Sequence, residues 1–154
     1  MADRYIRSRT TTTEPAGDHR DHWDEEVMQA LVTAGALVAL SDGRVEAVER
    51  DELVNFVDQQ GFVPTISRLG IAEAFGNRVR QLEDRHSASV IVDSLRPLAG
   101  LSLASVVVRT AERVAAADRK IHPGELHAIQ LIRLIMMTLP ASRSPSSNGF
   151  NKWC

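Results

Sequence analysis

Two stretches of this chain follow one pattern at a fixed offset of 76 residues, and that repeat constrains the fold more than any other feature. The first reads Ala39-Leu40-Ser41-Asp42-Gly43-Arg44-Val45-Glu46-Ala47-Val48-Glu49. The second reads Ala115-Ala116-Ala117-Asp118-Arg119-Lys120-Ile121-His122-Pro123-Gly124-Glu125. Asp42 matches Asp118, Arg44 matches Lys120, Val45 matches Ile121 and Glu49 matches Glu125. Further on, Leu53 and Phe56 match Ile129 and Ile132. Each copy thus reads as a buried helix, an aspartate where it ends, a basic residue, an aliphatic plug, a glutamate and an amphipathic helix. A duplicated helical hairpin is the simplest structure with that order.

The remaining segments are helical in pattern too. Strand-like alternation is absent, and Ala and Leu dominate. A first helix is predicted from about Trp23 to Leu40, with Val27, Leu31, Ala34 and Val38 as its stripe and a second half apolar nearly all round. A second runs from about Glu46 to Gln59, with Leu53, Phe56 and Val57 inward, and Gly61 ends it. Pro64 suits the first turn of a third helix reaching Glu83, anchored by Ile66, Leu69, Phe75, Val79 and Leu82. A fourth starts near Ser87 and stops before Pro97, because proline disfavours helix in its predecessor. A fifth spans about Ser102 to Ala117 and carries Leu103, Val107, Ala111 and Val114; a sixth spans about Pro123 to Leu139, with Met136 and Met137 read as core. The fold class expected is all-α, a compact bundle of about six to seven helices. Residues 1–20 and 141–154 are polar and read as flexible segments around a helical domain over 21–140.

The repeated carboxylates are the candidate site. Glu49 and Glu125 fall in the first turn of a helix, where the dipole favours a negative charge. Asp42 and Asp118 fall at a helix C-terminus, where it does not, and a residue placed there twice needs a reason. Three reasons stand side by side. The aspartates accept hydrogen bonds from turn N–H groups while the glutamates cap helices. Alternatively, Asp42, Glu49, Asp118 and Glu125 hold a hard divalent cation such as calcium or magnesium, which oxygen ligands on loops suit. Finally, the turns form an acidic surface for a basic protein partner. The aliphatic residue three after each aspartate is expected to tuck the turn against the core.

Composition narrows the function further. With a formal net charge of −2 at 154 residues, the chain has no bulk attraction to nucleic acid or anionic lipid. Only a local patch built from Arg7, Arg9, Arg78, Arg80, Arg109 and Arg113 would supply one. The one cysteine, Cys154, excludes an intrachain disulfide and suits a reducing cytoplasm, where we expect the protein to reside. The apolar runs Ala30 to Leu40, Leu101 to Val108 and Ile129 to Leu139 are too short to span a bilayer. Neither a nucleophile elbow nor a Gly-rich phosphate loop is present, so no enzyme is expected. Asp18, His19, Asp21 and His22 read as a solvated charged run, and His122 and His127 as turn and surface residues.

At Ala36 to Phe56 and Ala111 to Ile135 the chain resembles the TerB tellurite-resistance family. The shared feature is an alanine-rich helix running into Asp-Gly-x-(Val/Ile) with a glutamate following, and the resemblance covers about Trp23 to Leu139. It implies a cytoplasmic, non-enzymatic helical module tied to tellurite resistance and chemical stress. Such a module works through protein partners, including membrane-associated ones, and its acidic residues are candidates for metal binding. The second copy departs from the pattern, with Arg119 in the glycine position and Pro123-Gly124 ahead of Glu125. A left-handed arginine costs roughly 1 kcal/mol, so the second turn is expected to take a different shape.

Overall fold

A helix that is apolar on every side cannot sit at a surface, and the first helix of this chain forms the centre of the molecule. The computed structural model describes residues 17–84 and 87–138. Its elements are α1 (Gly17–Leu40), α2 (Ala47–Gln60), α3 (Arg68–Glu83), α4 (Ser87–Leu95), α5 (Ala104–Ala115) and α6 (Pro123–Thr138), with a single 3-10 turn at Arg96–Leu98. Helix α1 packs against all five others. Val27, Leu31, Ala34 and Val38 are buried as its stripe predicts, and so are Ala30, Val32, Ala36 and Ala39 on its remaining sides. The alanines let neighbouring backbones come close. At Gly35 the approach is closer still, since a Cβ there would lie 2.3 Å from Leu53 Cδ1 of α2.

The other helices each lay one stripe on this axis. From α2 come Leu53, Phe56 and Val57; from α5, Val107, Ala111 and Val114; from α6, Ala128, Ile129, Ile132, Ile135 and Met136. The buried hydroxyls of Thr33 and Thr110 donate to the carbonyls of Gln29 and Val106, so both leave water without losing a partner. Proline ends α4 where expected, with Pro97 inside the 3-10 turn. Gly100 N then donates to Met136 O at 3.0 Å, tying that connection to the end of α6. Among the described residues no helix is long and apolar enough to cross a membrane.

Four expectations need correction, namely the starts of α1 and α3 and the burial of Leu69 and Met137. Helix α1 begins at Gly17, six residues ahead of Trp23, so Asp21 and His22 lie on a helix, and His22 Nε2 stands 3.3 Å from Glu26 Oε1. Residues 1–16 and 139–154, and with them most of the segments expected to be flexible, lie outside the described residues. Helix α3 begins at Arg68 and not at Pro64. The buried carboxylate of Asp24 accepts from both the Thr65 backbone N–H and its hydroxyl, at 3.3 and 2.8 Å. That holds 61–66 as a loop until Ser67, whose Oγ caps the helix by accepting from Gly70 N. Leu69 is consequently exposed in the first turn of α3 and is not an anchor. Met137 is also exposed, because the inward face of α6 passes through Met136.

Candidate functional site

The two turns that join α1 to α2 and α5 to α6 share their hydrogen bonds position for position. In the first, Gly43 N donates to Leu40 O and Ser41 N to Val38 O, both at 3.0 Å. In the second, Arg119 N donates to Ala116 O and Ala117 N to Val114 O, at 3.2 and 3.1 Å. Asp42 Oδ1 accepts from Arg44 N at 2.9 Å, and Asp118 Oδ1 from Lys120 N at 2.8 Å. Glu49 Oε2 accepts from Glu46 N at 2.8 Å, and Glu125 Oε2 from His122 N at 2.6 Å. The aspartates thus close the turns and the glutamates reach back to the residue before each helix, which answers why an acid stands at a helix C-terminus.

The expected difference in shape is not found. Arg119 takes φ 65°, the left-handed conformation that Gly43 takes at φ 84°. It is the only non-glycine residue with positive φ among those described. The hydrogen bonds to Asp118 and Ala116 on either side hold it there in spite of its Cβ. The aliphatic plug, by contrast, works in one turn alone. Val45 packs on the core, whereas Ile121 is 54% exposed. The second turn is seated by backbone instead, because a Cβ on Gly124 would lie 2.6 Å from Ser41 O.

That last contact places the first turn of α6 directly on the turn that follows α1, so the two acidic turns are neighbours in space. Their charges register it. Glu49 and Glu125 are 3% and 1% exposed. Burial pushes the Glu49 carboxyl up to about 7; the Glu46 N–H opposes the shift, while the charges of Asp42, Glu125 and Glu46 add to it. Burial likewise raises the Glu125 carboxyl, opposed by the His122 N–H and reinforced by Asp118 and Asp42. Repulsion therefore crosses between the turns in both directions.

Each of the four carboxylates is already engaged by the turn that carries it, spending an oxygen on a backbone N–H. Among the described residues no three His, Cys, Asp or Glu side chains come together as a group that could hold a metal ion. The outward side of the pair carries Asp42 and Glu46, both exposed, with Val48, Ile121 and Leu126 about half exposed on the same two connections. The outer face of α6 continues in apolar side chains, with Leu131, Leu134 and Met137 at 43%, 59% and 83% exposure. His122 Nε2 lies 3.8 Å from Asp118 Oδ2, and His127 is exposed on α6.

Of the arginines named for a basic patch, Arg7 and Arg9 lie outside the described residues. Arg113 lies over the Phe56 ring, 5.4 Å from its centroid, and Arg78 is buried between α1 and α3. Arg78, named for that patch, is instead buried. Its signal is visible in retrospect: Ile71, Phe75, Arg78 and Leu82 form one helical stripe, with the arginine on the apolar side. No protein-family model, curated protein or solved structure matches the chain.

Proposed function

We propose that this chain is a TerB-like, non-enzymatic module of tellurite resistance and chemical-stress response. It works in the cytoplasm by docking a basic, partly apolar segment of a protein partner on its paired acidic turns. The observation that carries this reading is the seating of Gly124 on Ser41, which joins two acidic turns into one surface. Repulsion among Asp42, Glu49, Asp118 and Glu125, only partly offset by the turn N–H groups and His122, favours a ligand that brings positive charge. The apolar side chains Val48, Ile121 and Leu126 beside them favour a peptide over a bare ion. Calcium or magnesium is the alternative source of that charge, bound through the carboxylate oxygens that the turn N–H groups leave free. The two hairpins are read as copies of one unit.

A second reading has its own support. All four carboxylates accept turn N–H groups, as residues that only shape a scaffold would. The double substitution Asp42→Asn/Asp118→Asn separates the two, because asparagine keeps the acceptor and removes the charge. Under the docking proposal the variant folds with an unchanged melting profile, fails to restore tellurite resistance to the host lacking the gene, and loses the partner recovered by crosslinking to the wild type. Restored resistance and an unchanged crosslinking pattern would leave the carboxylates as caps alone. Melts of chelator-stripped protein with calcium, magnesium, manganese or zinc decide the ion: a midpoint raised in the wild type and not in the variant would make the surface a cation site.

A further inference from the structure

A charged side chain on the apolar stripe of a helix normally pairs with an opposite charge; among the described residues the Arg78 guanidinium senses the charge of Glu25 without pairing with it. It is 9% exposed, beside Phe75 and Leu82 on the inward side of α3. Among the described residues its guanidinium takes part in no ion pair; one Nη donates to Gln29 Oε1 of α1, and Nε is enclosed without an acceptor. Leaving a buried guanidinium this way is costly, since both its charge and its spare N–H have left water.

Its surroundings show what is missing. Arg78 lines a cleft of about 290 Å³ between α1 and α3, together with Glu25, Gln29, Glu73, Asn77 and Gln81. Gln29 is held at both ends: its amide N–H donates to Glu25 Oε1 at 2.6 Å, and its carbonyl accepts from Arg78. The amide therefore stands between a carboxylate and a guanidinium and keeps them from pairing. The cleft is thus lined by one guanidinium, by the carboxylates of Glu25 and Glu73, and by the side-chain amides of Gln29, Asn77 and Gln81.

From this geometry we infer that the α1/α3 cleft binds a small zwitterion of the α-amino-acid type, its carboxylate on Arg78 and its ammonium between Glu25 and Glu73. The match is one of sign and size. A simple anion would satisfy Arg78 but face two carboxylates, and a simple cation would leave the guanidinium unpaired. A zwitterion carries both charges a few bonds apart and needs no larger volume than the cleft has. The site is separate from the acidic turns, being built from α1 and α3 alone, and does not depend on their role.

The test uses the full chain, titrated calorimetrically with each of the twenty common L-amino acids, with acetate and methylammonium as the two half-ligands. At least one amino acid binds and raises the melting midpoint, while acetate and methylammonium at the same concentration do neither. Arg78→Met removes the charge while keeping an unbranched apolar side chain, and weakens that binding by about tenfold or more. Glu73→Gln, at an exposed position, weakens it in the same sense and decides the matter if Arg78→Met does not fold. The inference is overturned if no amino acid binds, if acetate binds as tightly as the amino acid, or if Glu73→Gln binds as the wild type does.

Discussion

The turn after α1 and the turn after α5 carry the same hydrogen bonds on different side chains. One uses glycine for its left-handed residue and packs its half-buried valine on the core; the other uses arginine and leaves its isoleucine largely in water. What the two have in common is the pair of carboxylates, each on the same backbone N–H. The shape of such a turn is thus set by polar closure, and the residues around it are free to adapt to what packs on them. In the second turn that freedom goes to Gly124, which lets α6 lie on Ser41.

The largest effect that would break the comparison is expected at this contact. Gly124→Ala pushes a methyl into Ser41 O and destabilises the fold by about 1–3 kcal/mol. The position 76 residues earlier, Val48, is 43% exposed, and Val48→Ala stays within about 0.5 kcal/mol. Chemical denaturation of both variants measures the contrast, and equal effects would mean the turns are seated alike.

Next comes pH. The folded Glu49 carboxyl titrates near 7 against 4.5 for the free group, so the folded state holds a proton that the unfolded chain has lost. Its contribution to stability is complete below 4.5 and falls away as pH rises toward 7. Glu49→Gln removes that loss, by up to about 1.4 kcal/mol per pH unit within the window. Denaturation midpoints across that range should converge with the wild type at the acid end, where both side chains are neutral, and favour the variant at the alkaline end. Parallel curves would remove the buried charge from the account.

Smaller effects sharpen the contrast. Arg119→Gly relieves a left-handed side chain and stabilises by up to about 1 kcal/mol, whereas Gly43→Ala introduces one and destabilises by about 1 kcal/mol. The smallest pair is Val45→Ala, at about 1 kcal/mol for a half-buried methyl pair, against Ile121→Ala, below about 0.5 kcal/mol. Thermal melts rank these four variants.

Helix number and order were legible in the chain because the stripes of α1, α2, α5 and α6 are long and punctuated by Gly61, Pro97 and Pro123. Their edges were legible only where the stop signal is local. The start of α3 was hidden because it depends on Asp24, some 41 residues upstream, holding Thr65 in a loop. The acidic turns were legible as a pattern, but their meeting was not, since only packing shows that Gly124 is a contact and not a flexible joint. The left-handed Arg119 went against its own propensity, with the turn's own hydrogen bonds to Asp118 and Ala116 deciding its shape. Arg78 was readable in principle, as a charge on an apolar stripe, yet nothing local distinguishes it from its exposed neighbour Arg80.

The central claim is that the two turns share one field of negative charge. A double-mutant cycle on Glu49→Gln and Glu125→Gln, read by denaturant unfolding at low salt and well above the Glu49 pKa of about 7, tests it most directly. Each single substitution removes one carboxylate from the other's surroundings, so the account predicts that the double variant gains less stability than the two singles summed. Additivity within about 0.3–0.5 kcal/mol would mean the turns do not sense each other, and the shared surface would be contradicted.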